Sequence, residues 1–133
     1  MNEINSLIYQ IINSAFNVYN ELHGGLLESV YESALVYELQ LNNISVDQQK
    51  ELSVWYKGVL LDKKYRMDIV VDNRVIIELK AITEILPEHR MQLFNYLRLT
   101  HIPMGILLNF NLNDGVKFEK YKYDIERNTC YAF

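Results

Sequence analysis

The sequence predicts an α/β sandwich: a central mixed sheet with helices on both faces and at least one crossover helix. Three observations carry that prediction. Two stretches of helical periodicity open the chain. Three extended runs joined by tight turns follow them. A helix introduced by a proline then separates the third run from a short apolar strand.

Ile4, Leu7, Ile8, Ile11, Ile12, Ala15, Phe16, Tyr19 and Leu22 recur at helical spacing and stop at His23-Gly24-Gly25, a glycine-rich helix end. A second helix is expected from about Leu26 to Leu41, with Leu27, Val30, Tyr31, Ala34, Leu35 and Leu39 on its apolar face. Ile44 to Trp55 reads as a strand, Lys57-Gly58 as a turn and Val59 to Val71 as a second extended run. Asp72-Asn73-Arg74 makes the next turn, and Val75 to Ile82 the third strand. Pro87 suits the first turn of a helix reaching about Thr100. Met104 to Phe110 is a short apolar strand placed centrally, and Val116 to Ile125 is extended. The order is α-α-β-β-β-α-β, with room for one further strand.

A chain of 133 residues, half of them apolar, is expected to fold as one domain over 1–133 with a sizeable core. No apolar run approaches the roughly 20 residues a membrane span needs, and no basic-then-apolar leader opens the chain, so no membrane association is expected. A single cysteine, Cys130, cannot form an internal disulfide, which fits a reducing cytoplasm. Its place in a polar tail favours a bystander over a nucleophile. The net charge of −4 gives no global attraction to nucleic acid, so any such binding must use a local basic patch.

Against that background "RVIIELKA", Arg74 to Ala81, is anomalous. Val75, Ile76, Ile77 and Leu79 belong to a strand buried on both sides, yet Glu78 and Lys80 interrupt it two residues apart and point the same way. Burying a charge costs several kcal/mol unless it is paired or binds a metal. Across the turn, "YRMDIVV" carries a second interruption at Asp68. With a three-residue loop, Asp72 to Arg74, Val71 faces Val75 and Asp68 faces Glu78; a two-residue loop would put the carboxylates on opposite faces. Two carboxylates ~5 Å apart repel by roughly 3 kcal/mol at an effective dielectric near 20. A hard divalent cation between them, Mg²⁺ or Mn²⁺, removes that cost. The plain alternative is a surface hairpin with an Asp68–Lys80 ion pair.

In "PEHRMQLFNYLR", His89, Gln92 and Tyr96 fall on one helical stripe beside the apolar face of Met91, Phe94 and Leu97. Tyr96 is equally a packing residue and His89 more often a surface residue than a ligand, whereas a half-buried glutamine needs partners. In "GGLLESVYESAL", Glu28 opens the second helix with Tyr31 and Glu32 one turn on. An acid there also simply complements the helix dipole.

Gly25-Leu26-Leu27-Glu28-Ser29-Val30-Tyr31 resembles the motif that names the GxxExxY family. "YRMDIVV", "VIIELKA" and "EHRMQLFNYL" resemble its later motifs in the same order, over about four-fifths of the chain from Asn5 to Phe110. That family belongs to the PD-(D/E)XK nuclease superfamily, so the resemblance implies a restriction-endonuclease-like α/β sandwich and a phosphodiesterase site. Met67 stands where the superfamily's proline precedes the aspartate. By this resemblance Asp68, Glu78 and the Leu79 carbonyl hold Mg²⁺ or Mn²⁺, and Glu28 adds a direct or water-mediated ligand. Lys80 sits beside the attacking water and the phosphate, while Gln92 and Tyr96 orient the site. Two neighbouring carboxylates favour the ammonium form of a lysine, so Lys80 is expected to position phosphate rather than start as a base. The implied partner is nucleic acid, DNA ahead of RNA, and a homodimer is compatible with it. The competing expectation is a nuclease-like binding or regulatory module without turnover, which the acidic pI of 5.3 favours.

Overall fold

The computed structural model describes residues 3–133. Its elements are α1 (Glu3–Leu22), α2 (Glu28–Leu41), β1 (Val46–Tyr56), β2 (Val59–Val71), β3 (Val75–Lys80), α3 (Pro87–Thr100), β4 (Met104–Asn111), β5 (Gly115–Asp124) and β6 (Thr129–Ala132). The strands form one mixed sheet in the order β1-β2-β3-β4-β5-β6. Every neighbouring pair is antiparallel except β3 and β4, which run parallel because α3 carries the chain across between them. The predicted α/β sandwich is therefore the observed one. Among the described residues no helix is long and apolar enough to cross a membrane.

Two cores sandwich the sheet. On one face Ile11, Ala15, Leu35 and Leu39 of α1 and α2 pack against Ile69, Val71, Ile77, Leu79, Ile106 and Leu108. On the other, Leu93, Tyr96 and Leu97 of α3 cover Met67, Val70, Ile76 and Leu107. β3 and β4 are buried along their length, Lys80 excepted, because both of their faces are covered, and Glu78, Asn109 and Asn111 are polar residues inside that burial.

The boundaries that differ from expectation have local causes. The second helix starts at Glu28 rather than Leu26, because Leu27 is extended (φ −64°, ψ 146°) at its N-cap. Gly24 lies so close to the Leu112 carbonyl that a Cβ there would stand 2.3 Å from the oxygen, so the α1–α2 turn requires glycine at this point. The third strand ends at Lys80 rather than Ile82, because the Asn109 side chain takes both the N–H and the C=O of Ile82 at 3.0 Å and draws the chain out of the sheet. The first strand begins at Val46 rather than Ile44, after a turn in which the Ile44 amide bonds the Leu39 carbonyl. On α3 the apolar face uses Leu93, Tyr96 and Leu97, while Met91 is exposed. The further strand is β5, over the expected Val116 to Ile125; β6, outside the expected elements, follows it and brings Cys130 against the α3-side core.

Candidate active site

The β2–β3 turn closes with Val71 opposite Val75, the three-residue geometry, and pairing runs through Ile69 and Ile77. One step further the ladder stops, and carboxylates replace it. The Asp68 amide donates to Glu78 Oε1 at 3.1 Å, and the Leu79 amide donates to Asp68 Oδ2 at 2.9 Å. Two strands of a buried sheet are thus held apart by the side chains of two acids, each satisfying a backbone donor that would otherwise be orphaned. A residue's N–H and C=O point to the same neighbouring strand, so the Leu79 carbonyl opens toward the same gap.

The gap coincides with a twist in the β1–β2 ribbon. On a regular strand residues 67, 69 and 71 share a face. Here Ile69 and Val71 pack under α1 and α2, whereas Met67 packs under α3. Across the ribbon, Val46 belongs to the first core and Leu52 to the second. The reversal falls at Gln49 and Asp68, which lie between the paired positions Gln48–Ile69 and Lys50–Met67. Gln49 has φ of +51°, a left-handed conformation that a non-glycine residue adopts at a cost. Its side-chain amide bridges Glu32 Oε1 at 2.8 Å and Asp68 Oδ1 at 3.3 Å, and Gln48 holds Glu32 Oε2 at 2.8 Å. Glu32, Gln48 and Gln49 are the positioning residues that sequence reasoning left without a role. Their only signals are a glutamate one turn after Glu28 and a tandem glutamine in a strand.

Glu28 reaches the same region from the N-terminus of α2. The preceding loop is fixed by Tyr31, whose buried ring stacks on Phe110 at 4.6 Å and whose hydroxyl accepts from the Leu26 amide and donates to the His23 carbonyl. A hollow of about 520 Å³ opens here, walled by Leu27, Glu28, Ser29, Glu32, Gln49 and Asp68. Burial raises the Glu28 carboxyl above its ordinary range; Lys80 opposes the shift, while Asp68 and Glu32 add to it. Glu28 therefore senses Lys80 and Asp68 directly.

Glu78 is 2% exposed. It lies on the α3 side, two residues from Ile76 and opposite Leu107, both packed under α3. Burial and then the Asp68 charge push its pKa up to about 8, against the opposing pull of the Asp68 amide and Lys80. Among the described residues Lys80 forms no ion pair within 4.0 Å, so the Asp68–Lys80 pair of a plain surface hairpin is not made. Lys80 instead faces both Glu28 and Glu78 at longer range.

From α3, the Gln92 amide donates to the Tyr96 hydroxyl at 2.9 Å, and that hydroxyl donates to the Arg66 carbonyl at 3.3 Å. Burial and the Glu78 charge push the Tyr96 phenol up to about 12, so it keeps its proton. These two residues border a second hollow of about 510 Å³, shared with Tyr65, His89 and Met91. His89 serves α3 itself: its Nδ1 accepts the Leu86 amide at 2.9 Å and caps the helix. A larger hollow of about 640 Å³, between α1 and the β2–β3 turn, holds none of these residues.

Among the described residues no three His, Cys, Asp or Glu side chains stand gathered around one point. What converges is two carboxylates and, through the backbone, one carbonyl. That all-oxygen donor set suits a hard cation that keeps several waters, as Mg²⁺ does.

A family model of the PD-(D/E)XK nuclease superfamily matches residues 5–121. Among solved structures, the chain is similar to one titled "Crystal structure of SSO0001", with a TM-score of 0.56 and 22% sequence identity. The match covers 76% of this chain and 54% of that one, so it shows a shared fold over about half the length of that protein. No curated protein matches the chain. The six-stranded mixed sheet with helices on both faces is consistent with a restriction-endonuclease-like fold.

Proposed function

The chain belongs to the PD-(D/E)XK nuclease superfamily, and on that premise we propose that it is a metal-dependent nuclease hydrolysing phosphodiester bonds in nucleic acid. The observation that carries this reading is the pair Asp68–Glu78. Each acid accepts from the other's strand at 3.1 and 2.9 Å, and burial followed by the Asp68 charge pushes the Glu78 carboxyl up to about 8, an arrangement that one more positive charge would relieve. Mg²⁺ or Mn²⁺ would be held there by Asp68, Glu78 and the Leu79 carbonyl, with Glu28 as a further direct or water-mediated ligand. Such a cation supplies a bound water of lowered pKa and positive charge against the transition state.

The remaining residues take roles that their surroundings support. Lys80, beside the acids yet paired to none, donates from Nζ to a non-bridging phosphate oxygen and fixes the scissile group. Gln92 presents its amide to the same region from α3. Tyr96 acts through Gln92 and the Arg66 carbonyl, as a positioning residue. Gln49 and Glu32 hold the Asp68 rotamer. The resemblance of Gly25 to Tyr31 supports a GxxExxY-family reading, with one nuclease-like domain over 1–133 and DNA as the preferred polymer. The test is incubation with single- and double-stranded DNA and RNA in Mg²⁺, Mn²⁺ or chelator. Cleavage that requires the cation supports the reading. Intact polymers in every condition would leave a binding module without turnover.

A further inference from the structure

β3 pairs with β2 only over Ile69 to Val71, so along residues 59–66 β2 is flanked by β1 alone, to which Val59, Leu60, Lys64, Tyr65 and Arg66 pair. The β1–β2 ribbon thus leaves the sheet as a two-stranded arm, starting where the candidate site lies. Its exposed surface is unusual in two respects. Trp55 and Tyr56 are 65% and 60% exposed, and Val59, Leu60 and Tyr65 are exposed with them. Between Glu51 and Arg66 stand four cations, Lys57, Lys63, Lys64 and Arg66, against two carboxylates, Glu51 and Asp62. That is a local excess of two positive charges in a chain of net charge −4. Lys64 and Arg66 share the single carboxylate of Glu51, at 3.2 and 3.3 Å. The Lys57 ammonium lies 5.5 Å from the centroid of the Tyr56 ring.

We propose that this arm binds a single-stranded stretch of nucleic acid that wraps its tip, stacking unpaired bases on Trp55 and Tyr56 on the arm's two faces and leading the backbone past Lys63 and Lys64 toward the site. This rests on the nuclease reading for its direction but not for its chemistry. Interleaved cations and flat rings match a polyanion whose bases have free π-faces; in a duplex those faces are already stacked. Continuity supports the same occupant. Tyr65 meets Tyr96 edge-on at 5.7 Å and walls the hollow that Gln92 borders. Tyr65 pairs with Leu52, and the register between β1 and β2 breaks beyond it, where Leu61 to Lys63 bulge from the ladder. A second copy of the chain is the other candidate occupant, since β1 is an edge strand. Two such arms meeting would bring like charges together.

Trp55 is the only tryptophan, so fluorescence excited selectively at tryptophan reports the arm. The full chain is titrated in chelator with oligo-dT of about 16 nucleotides, and with the same strand annealed to oligo-dA. The expected result is saturable quenching by oligo-dT and at least ~10-fold weaker binding of the duplex. By anisotropy, Trp55→Ala and Tyr56→Ala should each raise Kd by about 5- to 100-fold, with Trp55→Phe near wild type. Lys63→Ala with Lys64→Ala should lower the slope of log K against log salt by about 1.4. Unchanged melting of these exposed variants separates lost binding from lost fold. Binding without quenching, or a duplex bound as tightly, would overturn the proposal. So would a dimer that Trp55→Ala dissociates while oligo-dT affinity holds. Tight, quenching binding with no cleavage after Mn²⁺ addition sinks the nuclease reading alone; cleavage indifferent to both aromatic variants sinks the arm alone.

Discussion

The Asp68 amide donates a 3.1 Å hydrogen bond to the Glu78 carboxylate, so the second acid of the pair is anchored by the strand that carries the first. The reverse tie runs from the Leu79 amide to Asp68. Neither acid can swing away without orphaning a backbone donor, and their mutual repulsion is therefore built into the fold.

Relief of that repulsion predicts metal-dependent stability. Mg²⁺ or Mn²⁺ at about 100 times its Kd should stabilise the wild type by about 2.7 kcal/mol, visible as a rise in melting temperature. Asp68→Asn should lose the rise, keep the fold and match or exceed the wild type in chelator. A wild-type melting curve that millimolar Mn²⁺ leaves in place would show that the acids bind no cation there.

Glu78 makes a second prediction, in pH. Its folded pKa, about 8, lies above the ordinary carboxyl value of 4.5. The folded protein therefore holds the proton more tightly than the unfolded chain. The stabilisation is complete below about pH 4.5 and is lost as pH climbs through 8. In chelator, this group should make the protein less stable at pH 8.5 than at pH 5 by roughly a few kcal/mol. Thermal melts of Glu78→Gln should lack that component. Parallel curves for the two proteins would mean that Glu78 carries no such proton.

Gln49 separates strain from function. Gln49→Gly keeps the left-handed backbone without steric cost but removes the amide that bridges Glu32 and Asp68. Melting should change little, or even rise, while cleavage falls about 10-fold as Asp68 loosens. Gln49→Ala should be less stable than Gln49→Gly by up to ~1 kcal/mol, because it keeps the strain. Equal activity of Gln49→Gly and wild type would remove Gln49 from the positioning set.

Tyr96→Phe keeps the buried ring, which also meets Tyr65 edge-on, but strips Gln92 and the Arg66 carbonyl of their shared hydroxyl. It should cost about 1 kcal/mol of stability and lower cleavage several-fold, with metal-induced stabilisation retained. A loss of metal response would instead place Tyr96 nearer the acids than its hydrogen bonds imply.

Part of this was readable in the chain because side chains alternate along a regular strand. Counting three residues from Asp72 to Arg74 puts Asp68 across from Glu78, and the observed Val71–Val75 pair keeps that count. Pro87 likewise announced α3. The pleat reversal at Gln49 was not readable, since a left-handed glutamine leaves no mark in hydrophobic pattern. Nor was the early end of β3, because Ile82 looks like strand until the side chain of Asn109, 27 residues away, captures its backbone. Met91 and Leu93 are both apolar and stand on different faces of α3; the buried one is Leu93, which lies against Gly105 of β4. β6, four residues after a turn, is too short for periodicity to register.

Lys80→Ala gives the most direct test, because it changes the proposed phosphate contact and no proposed metal ligand. Cleavage rate and Mn²⁺-induced melting shift should be measured on the same preparations of wild type and variant. The account predicts a rate at least ~10²-fold lower with the melting shift retained. A Lys80→Ala protein that cleaves like wild type would contradict it.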